Sequence, residues 1–180
     1  MRHHRWWPLW ALLLSLVHAP GLAAGRDPLT HFFDENFGNL PEEVATARKE
    51  GKQAILFMFE TADCPWCDKM MKTVLNQPAV QDYYRQHFRI LQIDANGDVA
   101  MVDFSGKEMS QKDFAFKHNR VRATPVFAFF GLDGQPLTRF TGATKDVEEF
   151  LLLGEYVASG AYGRVKFDVY KRDQRRGKKE

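Results

Sequence analysis

The chain has 180 residues, 44% of them apolar, which is enough for one globular domain with a full hydrophobic core. Its 25 basic and 23 acidic residues leave a net charge of +2, a balance that excludes a strongly basic nucleic-acid-binding protein. The 15 phenylalanines also exclude a disordered chain, because they supply abundant surface to bury.

The first 24 residues have the layout of a secretory signal peptide. A basic segment at residues 2–5 precedes an almost wholly apolar run at 6–17, and small residues follow at 21–24. The apolar run is shorter than the ~20 residues of a membrane-spanning helix. We therefore expect cleavage near Ala23 or Ala24 and export from the cytosol, with an uncleaved membrane anchor as the alternative.

From residue 41 onward, the predicted elements alternate between helices and strands. Turn residues, caps and apolar periodicity predict helices at residues 41–50, 67–75, 78–87, 111–118 and 146–158. Apolar runs and alternation predict strands at residues 53–60, 88–94, 125–130 and 136–141, and a small hairpin at 99–104 and 107–109. This order predicts an α/β fold with a central mixed sheet flanked by helices.

The segments at the two ends of this pattern are predicted to be less regular. Residues 25–40 are expected to form a loop that Phe32, Phe33 and Phe37 hold against the body of a domain spanning 25–160. Residues 161–180 form a basic extension, with eight basic and three acidic side chains from Arg164 onward. Charge runs are usually solvated, so we expect this extension to be partly disordered, with an acidic partner or an anionic membrane as a weaker alternative.

The chain's two cysteines, Cys64 and Cys67, follow the first predicted strand and open the next helix. Residues three apart on a helix are neighbours, so their α-carbons are expected about 5–6 Å apart, which is disulfide distance. A static disulfide closing so short a loop would remove little chain entropy. The spacing therefore favours a pair that opens and closes by exchange with other disulfides.

A buried strand leading into Cys64-Pro65-Trp66-Cys67, with Ala123-Thr124-Pro125-Val126 further on, resembles the thioredoxin superfamily. The similar region covers about residues 37–159. With its export signal and a small insertion before the Thr124-Pro125 strand, the chain most resembles SoxW-type periplasmic thioredoxins. The resemblance implies a thioredoxin-like fold and a periplasmic location.

The resemblance also implies roles for individual residues. Cys64 is expected to attack and Cys67 to resolve, while Pro125 is expected to be cis beside them with Thr124 contacting a bound peptide. Trp66, together with Pro65, is expected to contact partners.

One position departs from the family pattern. Thioredoxins carry a buried acidic residue six positions before the first cysteine, and here that position is Met58. Glu60 lies two residues on, and strand alternation points it to the same face. We hypothesise that Glu60 accepts the proton of Cys67; the alternative is a simple charge at the end of a strand.

These residues together predict an exported protein disulfide oxidoreductase without a cofactor. The sequence shows neither the large helical insertion of strong periplasmic oxidants nor the separate dimerisation domain of isomerases. We therefore expect a protein that reduces disulfides of exported proteins, and we expect it to be a monomer. A membrane protein of the thiol–disulfide carrier type would supply the electrons. An oxidant or isomerase of the same fold, or a Cu(I)-binding metallochaperone, remains the alternative. A zinc site is not expected, because only His31, His87 and His118 remain after cleavage.

Overall fold

The computed structural model describes residues 25–177. The predicted signal peptide lies outside these residues. Within them, no helix is both long enough and apolar enough to cross a membrane.

The six strands are β1 Ala54–Glu60, β2 Phe88–Asp94, β3 Ala100–Val102, β4 Glu108–Ser110, β5 Val126–Gly131 and β6 Pro136–Thr141. Four of them form a mixed sheet at the centre of the fold, in the order β2-β1-β5-β6. Strand β1 pairs parallel with β2 and antiparallel with β5, which pairs antiparallel with β6. A separate antiparallel hairpin joins β3 and β4. The predicted α/β fold with a mixed central sheet is confirmed.

Helices cover both faces of this sheet. They are α1 Pro28–His31, α2 Leu40–Lys49, α3 Pro65–Met70, α4 Pro78–His87, α5 Gln111–Asp113, α6 Val147–Ala158 and α7 Phe167–Gly177. Two of them, α3 and α5, continue as π-helices, at Met71–Leu75 and Phe114–His118 respectively. A 3₁₀ turn, Ala161–Gly163, follows α6.

The sheet separates two hydrophobic cores because side chains alternate along each strand. Leu56 and Met58 of β1 belong to the core that contains both cysteines, packed under α3, α4 and α6. Phe57 and Phe59 belong to the other core, with residues of α2 and of the Phe114–His118 segment. Every residue from Ala54 to Phe59 is buried, as the continuous apolar run predicted for a strand covered on both faces.

The segment before α2 differs in part from its prediction. Phe32 and Phe33 are buried in the core that contains the cysteines, as expected, but a short helix, α1, precedes them. Phe37 does not hold the segment down, since 95% of its surface is exposed. The Asp34 carboxylate holds this part of the segment instead, by accepting from the Ile90 N–H at 2.8 Å.

Helix α7 occupies residues 167–177 of the basic end of the chain, where a partly disordered extension was expected. Helix α7 packs on α6, with the Phe167 and Tyr170 rings each 5.4 Å from the Tyr156 ring. The Lys171 ammonium pairs with Glu149 of α6, and these two groups are largely shielded from solvent. Phe167 and Tyr170 lie one helical turn apart and form an apolar face of α7, which counting the charged residues of this segment did not reveal.

Helix α6 includes a glycine whose replacement tests how tightly the core is packed. A Cβ at Gly154 would lie 2.9 Å from Cε2 of Tyr84 and 3.0 Å from Cε1 of Tyr83. Tyr84 is held in place because its hydroxyl donates to the Phe150 carbonyl at 2.6 Å. We expect Gly154→Ala to lower the free energy of unfolding by about 1–3 kcal/mol, because overpacking outweighs alanine's higher helix propensity.

Denaturant unfolding of the oxidised protein measures this change. Gly163→Ala is the matched control, because a Cβ at Gly163 would meet nothing within 4 Å. Equal stability of the two variants would contradict rigid packing around Tyr84.

Candidate active site

The cysteines lie where the central strand meets a helix. Strand β1 ends at Glu60, and Cys64 is the N-cap of α3, with φ −116° and ψ 95°. Its Sγ accepts a hydrogen bond from the Cys67 N–H at 3.1 Å. Cys64 and Cys67 form a disulfide with their α-carbons 5.2 Å apart, within the distance that the spacing predicted.

The surface around the disulfide is open on the side of the helix start. Cys64 is 8% exposed and Cys67 is 3% exposed, so Cys64 is the more accessible sulfur. Trp66 between them is 57% exposed, and the Lys69 Nζ lies 5.1 Å from the centre of its ring. Pro65 is exposed as well. Together, Pro65 and Trp66 present apolar surface to solvent directly beside the more accessible sulfur.

The Thr124–Pro125 bond is cis and lies at the same end of the sheet. Val126, the next residue, pairs with Phe59 at the end of β1. The Oγ1 atoms of Thr61 and Thr124 are 3.4 Å apart, which joins the loop before the cysteines to the loop before β5. Strand pairing therefore brings together two segments that are about 60 residues apart in the chain.

Glu60 lies at the end of β1, and its partner is a glutamine. Its Oε1 accepts from Gln92 Nε2 of β2 at 2.7 Å, and the side chain is half-buried. Burial raises the pKa of Glu60; the Gln92 hydrogen bond lowers it, while the charges of Asp94 and Asp68 raise it further. Because Asp68 follows Cys67 directly, Glu60 lies within electrostatic range of the start of α3.

The raised pKa of Glu60 predicts a pH-dependent effect on stability. The folded state holds this proton more tightly than the unfolded state, so ionisation of Glu60 opposes folding as the pH rises above its ordinary value of 4.5. We expect Glu60→Gln to raise the free energy of unfolding near pH 7, by no more than about 1 kcal/mol because solvent screens the half-exposed carboxylate, and to leave it unchanged near pH 3, where both states are protonated.

Urea unfolding at the two pH values measures this difference. Glu108→Gln, at an exposed position on β4, is the control for loss of one carboxylate. If Glu60→Gln raises the free energy of unfolding by the same amount at both pH values, that result would contradict the raised pKa of Glu60.

Sequence reasoning missed Gln92, Thr61 and Lys69. Gln92 interrupts the apolar face of β2 that Phe88 and Ile90 begin, and a polar residue at a core-facing position is the signal that could have identified it. Thr61 and Lys69 carry no comparable signal, because their contacts depend on the tertiary pairing of distant loops and on one side-chain conformation.

Comparison with known proteins agrees with this geometry. Residues 40–158 match the family model of the thioredoxin-like domain, so the chain belongs to that family. No curated protein matches the chain at a significant level. Family membership and the Cys64–Cys67 disulfide together support a thiol–disulfide oxidoreductase.

Solved structures show the same fold at low sequence identity. A thioredoxin-fold protein from Helicobacter pylori is 18% identical, with a TM-score of 0.57 over 70% of this chain and 86% of that one. A thioredoxin from Thermus thermophilus is 21% identical, with a TM-score of 0.54 over 71% and 87%. A structure described as DsbH oxidoreductase is 17% identical, with a TM-score of 0.50 over 81% and 92%.

Proposed function

We propose that the protein is an exported thiol–disulfide oxidoreductase that reduces disulfides of periplasmic proteins. The observation that carries the proposal is the Cys64–Cys67 disulfide at the start of α3, with its more accessible sulfur beside the exposed Trp66. A buried structural disulfide would not need an exposed aromatic residue between its cysteines. The resemblance to SoxW-type thioredoxins supports the periplasmic location.

In the reduced protein, the Cys64 thiolate attacks one sulfur of the substrate disulfide. A Cys64–substrate disulfide forms, and the other substrate sulfur leaves as a thiolate. The Cys67 thiolate then attacks Cys64, forming the intramolecular disulfide and releasing the second substrate thiolate. The substrate gains two electrons, and the protein loses two.

Local groups act on the Cys64 thiolate in opposite directions. The Cys67 N–H, which donates to Cys64 Sγ, stabilises negative charge on that sulfur. The carboxylates of Asp63 and Asp68 oppose it, but Asp68 is paired with the Lys72 ammonium at 2.8 Å. Asp63 is exposed, so solvent weakens its influence.

Glu60 is proposed to accept the Cys67 proton. Its raised pKa supports this, because a base is most effective when its pKa approaches the working pH. Gln92 would hold the carboxylate in place. If Glu60→Gln leaves both the reaction rate and the titration of the cysteines unchanged, Glu60 is only a charge at a strand end.

Regeneration of the reduced pair is proposed to depend on a membrane protein of the thiol–disulfide carrier type. The protein itself would act as a monomer on disulfide-containing exported substrates. An oxidising compartment returns the pair to the disulfide unless electrons are supplied, so a reductant there requires a donor.

Two measurements test the direction of electron flow. The reduced protein is expected to reduce insulin disulfides, and its reduction potential in a glutathione redox buffer is expected below about −180 mV. A potential well above that value, with rapid oxidation of a reduced peptide dithiol, would instead identify an oxidant.

A further inference from the structure

A cavity of about 510 Å³ lies on the face of the sheet opposite the cysteines. Its apolar lining comes from β1, β5, the β3–β4 hairpin and the helical segment that ends at His118. The residues concerned are Phe59, Phe104, Phe114, Val126, Ala128 and Phe130. Ala128 is the small residue among them, flanked on the same face of β5 by Val126 and Phe130. The disulfide exchange described above uses none of these side chains.

The cavity has a charged rim on one side. Arg139 lies directly across the β5–β6 ladder from Ala128, so the two residues share a face of the sheet. One of its nitrogens donates to the Asn119 carbonyl at 2.9 Å, which orients the guanidinium and leaves further N–H groups. Arg120 is exposed at the same rim, and its φ of 50° is unusual for a residue other than glycine.

Two other titratable residues line the cavity, Asp103 and His118. One oxygen of the Asp103 carboxylate is already engaged, because Oδ1 accepts from the Ser105 N–H at 2.8 Å, the Ser105 hydroxyl at 2.7 Å and the Lys107 N–H at 2.9 Å. The two arginines are the permanently positive groups of this lining, and both keep N–H donors available to a ligand.

We propose that this cavity binds a small aromatic carboxylate. The ring would lie among the phenylalanines, and the carboxylate would receive hydrogen bonds from Arg120 and Arg139. The cavity volume falls within the roughly 300–1,000 Å³ typical of ligand sites, aromatic linings favour aromatic ligands, and arginine pairs with carboxylates in a planar, two-bond geometry. This proposal is independent of the proposed disulfide chemistry.

Three probes with the same ring system separate the contributions of shape and charge. Calorimetry is carried out on the oxidised protein with naphthoate, naphthylmethanol and naphthylmethylammonium. Naphthoate is expected to bind about tenfold more tightly than the alcohol, since charge-assisted hydrogen bonds replace neutral ones, and the ammonium is expected to bind most weakly. Equal affinity for the three probes, or no binding of any, would overturn the proposal.

Variants assign the binding to the cavity. Arg120→Ala and Arg139→Ala are each expected to weaken naphthoate binding several-fold without changing the affinity for the alcohol. Arg176→Ala, at an exposed position on α7, is the matched control and is expected to change neither. Unchanged naphthoate affinity in both rim variants would contradict the proposed site.

Filling the cavity provides a second, independent test. Ala128→Leu is expected to abolish binding of both naphthoate and the alcohol. Ala128→Val is a smaller change that is expected to weaken binding of both, and it keeps the test possible if the leucine variant does not fold. Insulin reduction by the folded variants is expected to remain at the wild-type rate, because Ala128 faces away from the cysteines. Undiminished naphthoate binding by a folded Ala128 variant would rule out this cavity.

Discussion

Replacing Cys67 with serine is expected to leave the reduced protein covalently attached to a substrate through Cys64. The attacking thiolate remains, but the second thiol that would resolve the mixed disulfide is absent. Cys64 is the more exposed of the two sulfurs, so the first step remains accessible to a bulky partner. Insulin with its disulfides intact and a cystine peptide serve as defined substrates, and the adducts are measured by non-reducing electrophoresis and intact-mass spectrometry.

The other single variant is expected to behave in the opposite way. Cys64→Ser removes the attacking thiol, so turnover is expected to fall by at least about a thousandfold and few adducts to form. The double variant Cys64→Ser/Cys67→Ser controls for non-covalent association, because the chain has only these two cysteines. Adducts that form equally through Cys67, or no adducts with Cys67→Ser under mild oxidation, would contradict the assigned order of attack.

The central part of the fold was predictable because local pattern and tertiary structure agree there. Short-range signals specify each element there. The apolar run at residues 54–59 specifies a strand, and the prolines at positions 65 and 78 and the Asp146 cap each mark the start of a helix. The position of Cys64 and Cys67 at the start of a helix followed from the same signals. Residue spacing alone was enough to predict that their α-carbons would lie within disulfide distance.

The features that sequence reasoning missed depend on contacts between distant segments. Phe37 has a large apolar side chain of the kind found in protein cores, yet that side chain is exposed to solvent. Helix α7 is stabilised by Tyr156 and by the Glu149 carboxylate, neither of which is visible from the charge pattern of the tail itself. The cavity beside Ala128 exists only because the hairpin, a helical segment and two strands meet around it.

Truncation of Phe150 is expected to cause the largest loss of stability among the core substitutions considered. This buried ring of α6 stacks on Tyr84 of α4 at 4.4 Å between ring centres and meets Phe127 of β5 edge-on at 4.9 Å. It also approaches Phe32, before α2, at 6.1 Å. A single side chain therefore joins the leading segment, two helices and the sheet on the face that contains the cysteines.

Phe150→Ala is expected to lower the free energy of unfolding by about 3–5 kcal/mol, because the cavity left behind has aromatic walls on several elements that cannot collapse together. Phe150→Leu keeps more of the volume and is expected to cost less, so it remains measurable if the alanine variant is largely unfolded. Phe37→Ala is the matched control; since Phe37 is exposed, we expect a change within about 0.5 kcal/mol. Urea unfolding of the oxidised proteins measures all three. Similar losses for Phe37→Ala and Phe150→Ala would contradict the packing, whereas a large loss confined to Phe150 would show that the core beneath the disulfide depends on this ring.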